Sequence, residues 1–330
     1  MWAASAGAIA YSSRKVRTGL DERKVPLMGV LGAFLFAAQM INFTIPATGS
    51  SGHLGGGMLL AILLGPNAAF LTIASILFVQ ALFFADGGLL ALGCNIFNLG
   101  FFPAFIAYPL IYRNIAGRTP GHGRQSAAII LASVIGLQLG AFAVVLETVL
   151  SGVSSLPMQK FVLLMQPIHL AIGLVEGLVT TAIVSFIIKA RPEILTDADV
   201  AGPETRQPFR KLVLGLLAAA LLTGGILSLF ASDKPDGLEW AIQKVTGTEA
   251  LATPQQGIHG AMASVQEKTS FLPDYSFRKA AESKDSPRKG SAKDLESSSL
   301  GTSLAGLAGG IITLAVALLV GVILRKKSEA

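Results

Sequence analysis

Residues 127–150 read AAIILASVIGLQLGAFAVVLETVL and contain a single charged side chain. A helix of this length rises about 36 Å, which exceeds the roughly 30 Å hydrocarbon core of a bilayer. Apolar runs that could span a membrane recur at 25–43, 66–84, 96–112, 161–189, 211–230 and 303–324. None of them alternates with a period of two residues, which favours helices over the strands of a barrel. The sequence therefore predicts an all-α protein, a polytopic transmembrane helical bundle.

The composition agrees with a membrane protein. Hydrophobic residues make up 52% of the chain and charged residues only 14%, and the mean hydropathy is +0.62. Because a soluble domain carries about 25% charged residues, an ordinary soluble enzyme is excluded. The single cysteine, Cys94, rules out an internal disulfide and a metal site built from cysteines.

The basic residues indicate how the chain is oriented. Sixteen of the 26 Lys and Arg residues fall into four groups, at 13–24, 113–126, 189–211 and 325–327. The short connections at 44–53, 85–95 and 151–160 hold only Lys160. Because short cytoplasmic loops are enriched in Lys and Arg, we expect the four groups inside the cell, in a multi-pass protein of the cell membrane. The formal net charge of +6 then reflects topology and not a nucleic-acid partner.

This orientation requires two shorter apolar runs to cross the membrane as well. The connections after residue 43 and after residue 85 both lie outside, so the chain must cross the membrane twice between them, and the run at 54–64 must be one of these crossings. The basic group at 13–24 lies inside, so the N-terminus lies outside if 2–11 crosses. Nine crossings result: seven helices up to residue 189, and two more that flank an extracytoplasmic loop at 231–302. The C-terminus is then cytoplasmic.

The loop at 231–302 differs sharply in composition from the rest of the chain. Its acidic and basic residues nearly cancel, and aromatic residues beside turn residues at 235–240 and 272–277 indicate local order. The stretch 281–299 is rich in Ser, Lys, Asp and Glu and is typical of a disordered linker. Composition leaves open whether the loop is a tether or a functional docking module.

One glycine-rich stretch is the first candidate for chemistry. Residues 48–57 read TGSSGHLGGG, and their glycines permit close approach of the backbone to a ligand or to another backbone. His53 within it can bind a divalent transition metal through a neutral ring nitrogen. Two interpretations remain open: a metal ligand, or an interfacial histidine that caps a helix in a tightly packed bundle.

Further polar residues are predicted at the same outer level. They are Gln39, Asn42, Gln80, Asp86, Asn95 and Asn98. Deeper in one helix, His169 and Glu176 are seven residues apart and share a face. Polar groups inside membrane helices mark a path or site, or hydrogen-bond helices together. Glu176 is accordingly a candidate gate or coupling residue, or the acceptor of a structural hydrogen bond.

Catalysis finds little support in the sequence. It contains no G-x-S-x-G elbow, no H-E-x-x-H motif and no Walker A motif, and no βαβ pattern surrounds the glycines. We therefore expect a protein that is not an enzyme and has no organic cofactor.

Several motifs together resemble the cobalt and nickel permease family CbiM/NikM. They are VPLMGV at 25–30, AAQMINF at 37–43, SGHL at 51–54, AILLGP at 61–66, VQALFFADGG at 79–88 and NIFN at 95–98, with the region from His169 to Gly177. The later PDGLEW at 235–240 resembles the PDGLE domain, a NikN-like part fused to some members. The resemblance divides the chain into a metal-binding membrane domain at 1–210 and a PDGLE/NikN-like domain at 211–330.

The resemblance implies the substrate-capture subunit of an energy-coupling factor importer for Ni(II) or Co(II). A transmembrane coupling protein and cytoplasmic ATPases would be its partners, with membrane lipid around it. In the family, nitrogen ligands from the extreme N-terminus and from the S-G-H-L histidine hold the metal, and the latter is His53 here. Gln39, Asn42, Gln80, Asp86, Asn95, Asn98, His169 and Glu176 are expected to support the site or line the pathway.

The start of the chain departs from this family pattern. Met1-Trp2-Ala3 lacks the family's N-terminal histidine, and Trp2 matches a tryptophan that lies further along in the family. We expect a start recorded too late, and the alternative is a lost site. Two functional alternatives also stay open: a stand-alone ion-coupled metal carrier, with Glu176 carrying protons, and an intramembrane metal-dependent enzyme.

Overall fold

The structure, a computed structural model, describes residues 1–19, 24–117, 121–152, 156–190, 209–248, 256–277 and 292–324. The elements of the first part are α1 (Trp2–Gly19), α2 (Lys24–Gln39), β1 (Phe43–Thr44), β2 (Ser51–Gly52), α3 (Gly57–Leu64), α4 (Pro66–Phe83), α5 (Leu92–Ile96), a π-helical segment (Phe97–Tyr112), α6 (Arg113–Ala116), α7 (His122–Leu150) and α8 (Met158–Ala190). The second part holds α9 (Phe209–Gly225), a 3-10 turn (Leu227–Phe230), α10 (Gly237–Thr246), α11 (Gly257–Thr269), a 3-10 turn (Pro273–Tyr275) and α12 (Ala292–Leu324).

The described residues contain six helices that are long and apolar enough to cross a membrane. They span Pro66–Phe83, Leu92–Ala116, His122–Leu150, Met158–Lys189, Arg210–Phe230 and Ser299–Leu324. Helix α2 is equally apolar but has only 16 residues. The predicted polytopic helical bundle is confirmed: six of the seven apolar runs noted in the sequence correspond to these long helices, and the run at 25–43 corresponds to the shorter α2.

Helix α4 shows how local sequence sets these boundaries. Gly65 precedes it with a φ of 82°, a conformation that favours glycine, and Pro66 occupies the first helical position, where its missing N–H costs nothing. The helix then runs to Phe83 without a charged residue. The prediction of 66–84 from hydrophobicity alone is therefore accurate to one residue.

The crossing predicted at 54–64 is not made by a spanning helix. Helix α3 has eight residues, which rise about 12 Å and cover less than half of a bilayer core. The residues before it form the short β1–β2 hairpin and an irregular segment at 53–56. Irregular backbone is tolerated at membrane depth where protein surrounds it, and every residue of α3 is buried.

The predicted crossing at 2–11 is part of a longer helix. Helix α1 continues through Arg14, Lys15 and Arg17, and it is not among the six helices of spanning length and composition. Its start is tied to the start of α5, because Trp2 Nε1 donates to the Leu90 carbonyl oxygen at 3.0 Å. One turn later, Ser5 Oγ donates to the Gly93 carbonyl oxygen at 2.6 Å.

The last two long helices, α9 and α12, pack against α2. A Cβ on Gly306 of α12 would lie 2.9 Å from the Gly224 backbone of α9, so the two backbones are in near contact. The linker predicted at 281–299 is wrong for its last part, because 292–299 belong to α12. Once the apolar part of α12 is helical, adding further residues to the helix is favourable. The preceding residues include Ala, Leu, Lys and Glu, which are good helix formers. Residues 281–291 lie outside the described ranges.

We expect Gly306→Ala to destabilise the protein by about 1–3 kcal/mol, because the new methyl group forces α9 and α12 apart. Gly215→Ala, on α9, is the matched control. A Cβ at Gly215 meets no atom within 4 Å, so it gains helix propensity of about 1 kcal/mol without a clash. Thermal unfolding in detergent measures both variants, and equal melting temperatures for the two would contradict this account of the helix contact.

Candidate functional site

A cavity of about 270 Å³ lies at the end of the bundle where α2 and α4 finish and α5 begins. We call this the cavity end. Seven of the nine polar residues singled out in the sequence line the cavity: Gln39, His53, Gln80, Asp86, Asn95, Asn98 and His169. Residues far apart in sequence thus line one cavity. For Gln39, Gln80, Asp86, Asn95 and Asn98, the sequence predicts a common position near the outer ends of the helices.

The hairpin before His53 is held by the C-terminal part of the chain. Phe43 pairs with Gly52 and Thr44 with Ser51 in the two-stranded ladder. The Ser51 N–H donates to the Pro235 carbonyl oxygen at 2.8 Å. The hairpin turn is anchored as well, since Trp240 Nε1 donates to the Thr48 carbonyl oxygen at 3.0 Å. The position of His53 therefore depends on both halves of the protein.

The two histidines of the cavity each keep one ring nitrogen available. Nδ1 of His53 lies 3.2 Å from the Leu54 carbonyl oxygen, and Nδ1 of His169 lies 2.8 Å from the Met165 carbonyl oxygen. A carbonyl oxygen only accepts, so Nδ1 carries the proton in both rings. In a neutral ring of this tautomer Nε2 is the nitrogen that can bind a metal, and a carbonyl partner on the other nitrogen is the usual support of a metal-binding imidazole.

Glu176 fixes the segment that follows His53. Its side chain is 1% exposed, and Oε2 accepts a hydrogen bond from the Gly55 N–H at 2.8 Å. The N–H groups of Gly56 and Met58 also face this carboxylate. Glu176 therefore occupies the N-terminus of α3, where backbone N–H groups are unpaired and negative charge is stabilised. The structural hydrogen bond weighed in the sequence is present.

The same segment is held from the opposite side by two glutamines. Gln39 Nε2 donates to the Gly55 carbonyl oxygen at 3.2 Å, and Gln80 Nε2 donates to Gln39 Oε1 at 2.9 Å. Gly56 must be glycine, because its φ is 74° and a Cβ would lie 2.1 Å from the Leu35 side chain. Gln39 and Gln80 thus position the backbone beside His53.

The C-terminal end of α4 is completed by residues from the second part of the chain. Helix ends leave carbonyl groups without partners. Gln266 Nε2 and Thr269 Oγ1 donate to the carbonyl oxygens of Ala81 and Leu82 at 3.0 and 2.7 Å. Two backbone N–H groups of the segment 271–274 donate to the next two carbonyl oxygens, at 3.1 and 2.7 Å. This contact brings Tyr275 to Asp86, and the Tyr275 hydroxyl donates to Asp86 Oδ2 at 2.5 Å.

Burial raises the pKa of the Asp86 carboxyl, and this outweighs the Tyr275 hydrogen bond and the nearby His53, which both lower it. Burial, with Asp86 beside it, also raises the pKa of Tyr275 well above its usual value, so the hydroxyl stays a donor. A carboxyl whose pKa is higher in the folded protein than in the unfolded chain stabilises the fold at low pH. That contribution is lost as the pH rises through the folded pKa.

We expect Asp86→Asn to remove this pH dependence, because asparagine stays neutral and still accepts from Tyr275. The melting temperature of the variant minus that of the unmodified protein should grow as the pH rises from 4 to 8. The exposed Asp233 supplies the control variant, Asp233→Asn. A difference that stays constant across this pH range would show that Asp86 does not titrate in the folded protein.

Asp236 is a cavity residue that the sequence analysis did not identify. Oδ1 accepts from the Leu238 and Glu239 N–H groups at 2.8 Å each, which makes Asp236 the N-cap of α10. It lines the cavity together with His53 and His169. The D-x-x-E spacing of Asp236 and Glu239 predicts such a cap, but only the tertiary structure shows that the cap lies against the cavity.

The remaining candidates differ in position. Asn95 Nδ2 is 3.4 Å from the Gly87 carbonyl oxygen, and Asn98 Nδ2 donates to Glu147 Oε2 at 2.9 Å. Asn42 does not line the first cavity. It lines a second one of about 340 Å³, which shares Gln39, Gln80, His53, Asp86 and Asp236 with the first. Asn42 therefore lines the second cavity and not the one that His169 lines.

Within the described ranges, no three His, Cys, Asp or Glu side chains stand close enough to hold one metal ion. His53 and His169 with Asp86 and Asp236 instead surround the cavity as separate donors. A transition metal bound by this part of the chain would thus take one or two of these groups, with amide, backbone or water ligands completing its shell.

Comparison with known proteins identifies the family. Residues 1–194 match the profile of CbiM, described as the cobalt uptake substrate-specific transmembrane region. The chain belongs to the CbiM family. Residues 210–326 match the PDGLE domain, so both resemblances noted in the sequence are confirmed.

Two relatives support this membership. The chain is 31% identical to the fused nickel transport protein NikMN of Rhodobacter capsulatus, over 80% of this chain and 81% of that protein. It is 30% identical to the cobalt transport protein CbiM of Geobacter sulfurreducens, over 67% of this chain and 65% of that protein.

Two solved structures share the fold of the CbiM part. One is a transition metal transporter with a TM-score of 0.52 and 29% identity, covering 61% of this chain and 92% of its own. The other, a truncated transition metal transporter, gives a TM-score of 0.51 at 30% identity and covers 58% of this chain and 92% of its own.

Proposed function

We propose that this CbiM-family protein captures Ni(II) or Co(II) at the outer side of the cell membrane for an energy-coupling factor importer. The observation that carries the proposal is the cavity, which is lined by two histidines and two aspartates, His53, His169, Asp86 and Asp236, at one end of a membrane bundle. Imidazole nitrogen suits both metals. Relatives named for nickel and cobalt transport agree with this substrate class.

The direction of the helices supports the orientation. Helix α1 starts at the cavity end, and its basic residues lie in its second half, towards the opposite end. Arg113 and Arg124 lie where the π-helical segment ends and α7 begins, and Lys189 lies at the end of α8. These are also away from the cavity end. The positive-inside tendency then makes the cavity end extracytoplasmic, with the recorded N-terminus outside and the C-terminus cytoplasmic.

The two domains have distinct proposed roles. Residues 1–210 form the metal-binding domain and supply His53 as a ligand. Residues 211–330 form the PDGLE/NikN-like domain, whose segments 232–248 and 256–277 anchor the hairpin, cap α4 and place Asp236 in the cavity wall. These contacts favour a functional module over a simple tether for the loop 231–302.

ATP hydrolysis is assigned to separate cytoplasmic ATPases, joined to this chain through a transmembrane coupling protein, because the sequence has no Walker A motif. The protein itself is then a transport subunit and not an enzyme. A stand-alone carrier driven by protons through Glu176 is the second candidate. The hydrogen bonds from the α3 backbone to Glu176 favour a positioning role for it instead.

Uptake of radioactive nickel or cobalt into proteoliposomes tests the proposal. We expect uptake only when the coupling protein, the ATPases and ATP are all present, with the metal added at the face that carries the cavity. Uptake driven by a proton gradient, without ATPases, would replace the proposal with the stand-alone carrier. Chemical turnover of a substrate by the chain alone would indicate an intramembrane enzyme.

A further inference from the structure

Three donor side chains meet beside the cavity, where α5 and the π-helical segment contact α7. They are Cys94, Asn98 and Glu147. Asn98 Nδ2 donates to Glu147 Oε2 at 2.9 Å. Cys94 precedes Asn98 by four residues in the continuous stretch of α5 and the π-helical segment, which places the two side chains about one turn apart. We propose that this cluster is a second binding site for a divalent transition-metal cation, distinct from the one that uses His53.

Two oxygen atoms of the cluster lack a donor. Asn98 is only 4% exposed, and neither its Oδ1 nor Glu147 Oε1 accepts a hydrogen bond, although both atoms are inaccessible to solvent. Buried hydrogen-bond acceptors without a partner are uncommon in folded proteins, and a site for a ligand or ion is one reason for them. Once the Asn98 amide has turned its oxygen towards Glu147, a cation coordinated by Oδ1 and Oε1 would satisfy both oxygens.

The donor set selects a class of cation. A thiolate and a carboxylate supply two negative charges, which balance a divalent cation inside a membrane helix bundle, where uncompensated charge is costly. Sulfur disfavours Mg(II) and Ca(II), which prefer oxygen throughout, whereas a mixed set of one thiolate and two oxygens suits Co(II), Ni(II) and Zn(II). The thiol proton leaves to solvent as the metal–sulfur bond forms.

The Asn98 side chain can turn its amide oxygen towards the Glu147 carboxylate. The terminal amide torsion of asparagine is roughly two-fold, so half a rotation presents Oδ1 to the Glu147 carboxylate in place of Nδ2. Two oxygens facing each other repel unless a cation lies between them. Asn98 also lines the 270 Å³ cavity, together with His53. Asn98 therefore joins the cavity to the cluster, and if the proposed uptake function holds, the cluster is a second binding site along the path of the metal.

The single cysteine of the chain gives this site a specific signal. A thiolate bound to Co(II) has an intense near-ultraviolet charge-transfer absorbance, and only Cys94 can supply a thiolate here. The experiment titrates Co(II) alone into the purified full chain in detergent. We expect the charge-transfer band to appear, to vanish in Cys94→Ser, and to require at least about tenfold more Co(II) in Glu147→Gln.

Two control variants distinguish a failure of this second site from a failure of the proposed function. Ser133→Ala alters another buried polar residue of α7 whose Oγ lacks a partner, and it should leave the band unchanged. His53→Ala should keep the band even where it abolishes uptake, so failure of the proposed function is distinguishable from failure of this site. Absence of the band in the unmodified chain, or an unchanged titration in Glu147→Gln, would overturn the proposal.

Discussion

Replacing His53 with alanine is expected to weaken Ni(II) or Co(II) binding by about 100-fold and to abolish transport, because the substitution removes a nitrogen ligand. The Nδ1 contact with the Leu54 carbonyl oxygen fixes the tautomer that leaves Nε2 free. Isothermal titration of the purified protein and uptake by the assembled importer measure the two effects.

The four histidines of the chain provide an internal control. His122 begins α7, away from the cavity end, and it does not line the cavity. His122→Ala should therefore bind the metal as the unmodified protein does. His169→Ala tests the second cavity histidine in the same assay. If His53→Ala retained full affinity, the assignment of His53 as a ligand would have to be withdrawn.

The second large effect is expected at Glu176. In Glu176→Leu, the N–H groups of Gly55 and Gly56 lose their buried acceptor, and each unpaired group costs about 1–3 kcal/mol. We expect a melting temperature well below that of the unmodified protein. The metal affinity should fall with it, because the segment that carries His53 is released.

Glu176→Gln separates positioning from proton carriage. Glutamine keeps one oxygen that accepts from the α3 N-terminus but cannot release a proton. We expect it to melt close to the unmodified protein and to retain ATP-dependent uptake. A Glu176→Gln protein that binds metal and melts normally but no longer transports would instead identify Glu176 as the coupling residue of a proton-driven carrier.

Much of the fold follows from local sequence, because membrane spans are encoded in contiguous runs of apolar residues. Helix α4 is predicted almost to its ends by its Gly65-Pro66 start and its apolar run. Segment 54–64 shows the limit: a buried half-helix after an irregular stretch has the hydrophobicity of a crossing, and only its length separates the two. The tail of α12 shows another limit, since its polar residues join a helix nucleated by the apolar residues after them.

The candidate site was predicted in part for a related reason. Gln39, His53 and Gln80 stand near predicted helix ends, so their shared level could be inferred from topology. Asp236 and Glu147 were missed, because they reach the cavity region only through packing between helices that are distant in sequence. No periodic pattern in the chain records such a meeting. That His53 binds metal stays a prediction, which the titration above decides.

The capped end of α4 also bears on how the protein is made. Leu82 and the threonine hydroxyl that pairs with its carbonyl oxygen are 187 residues apart. At about 5–20 residues per second, a ribosome needs roughly 10–40 s to synthesise that distance. Throughout this interval the cavity end of the nascent protein is incomplete. The cap of α4, the Tyr275 contact with Asp86 and the part of the cavity wall that holds Asp236 have not yet been synthesised. A chain terminated before the PDGLE domain therefore lacks the residues that cap α4 and complete the cavity end.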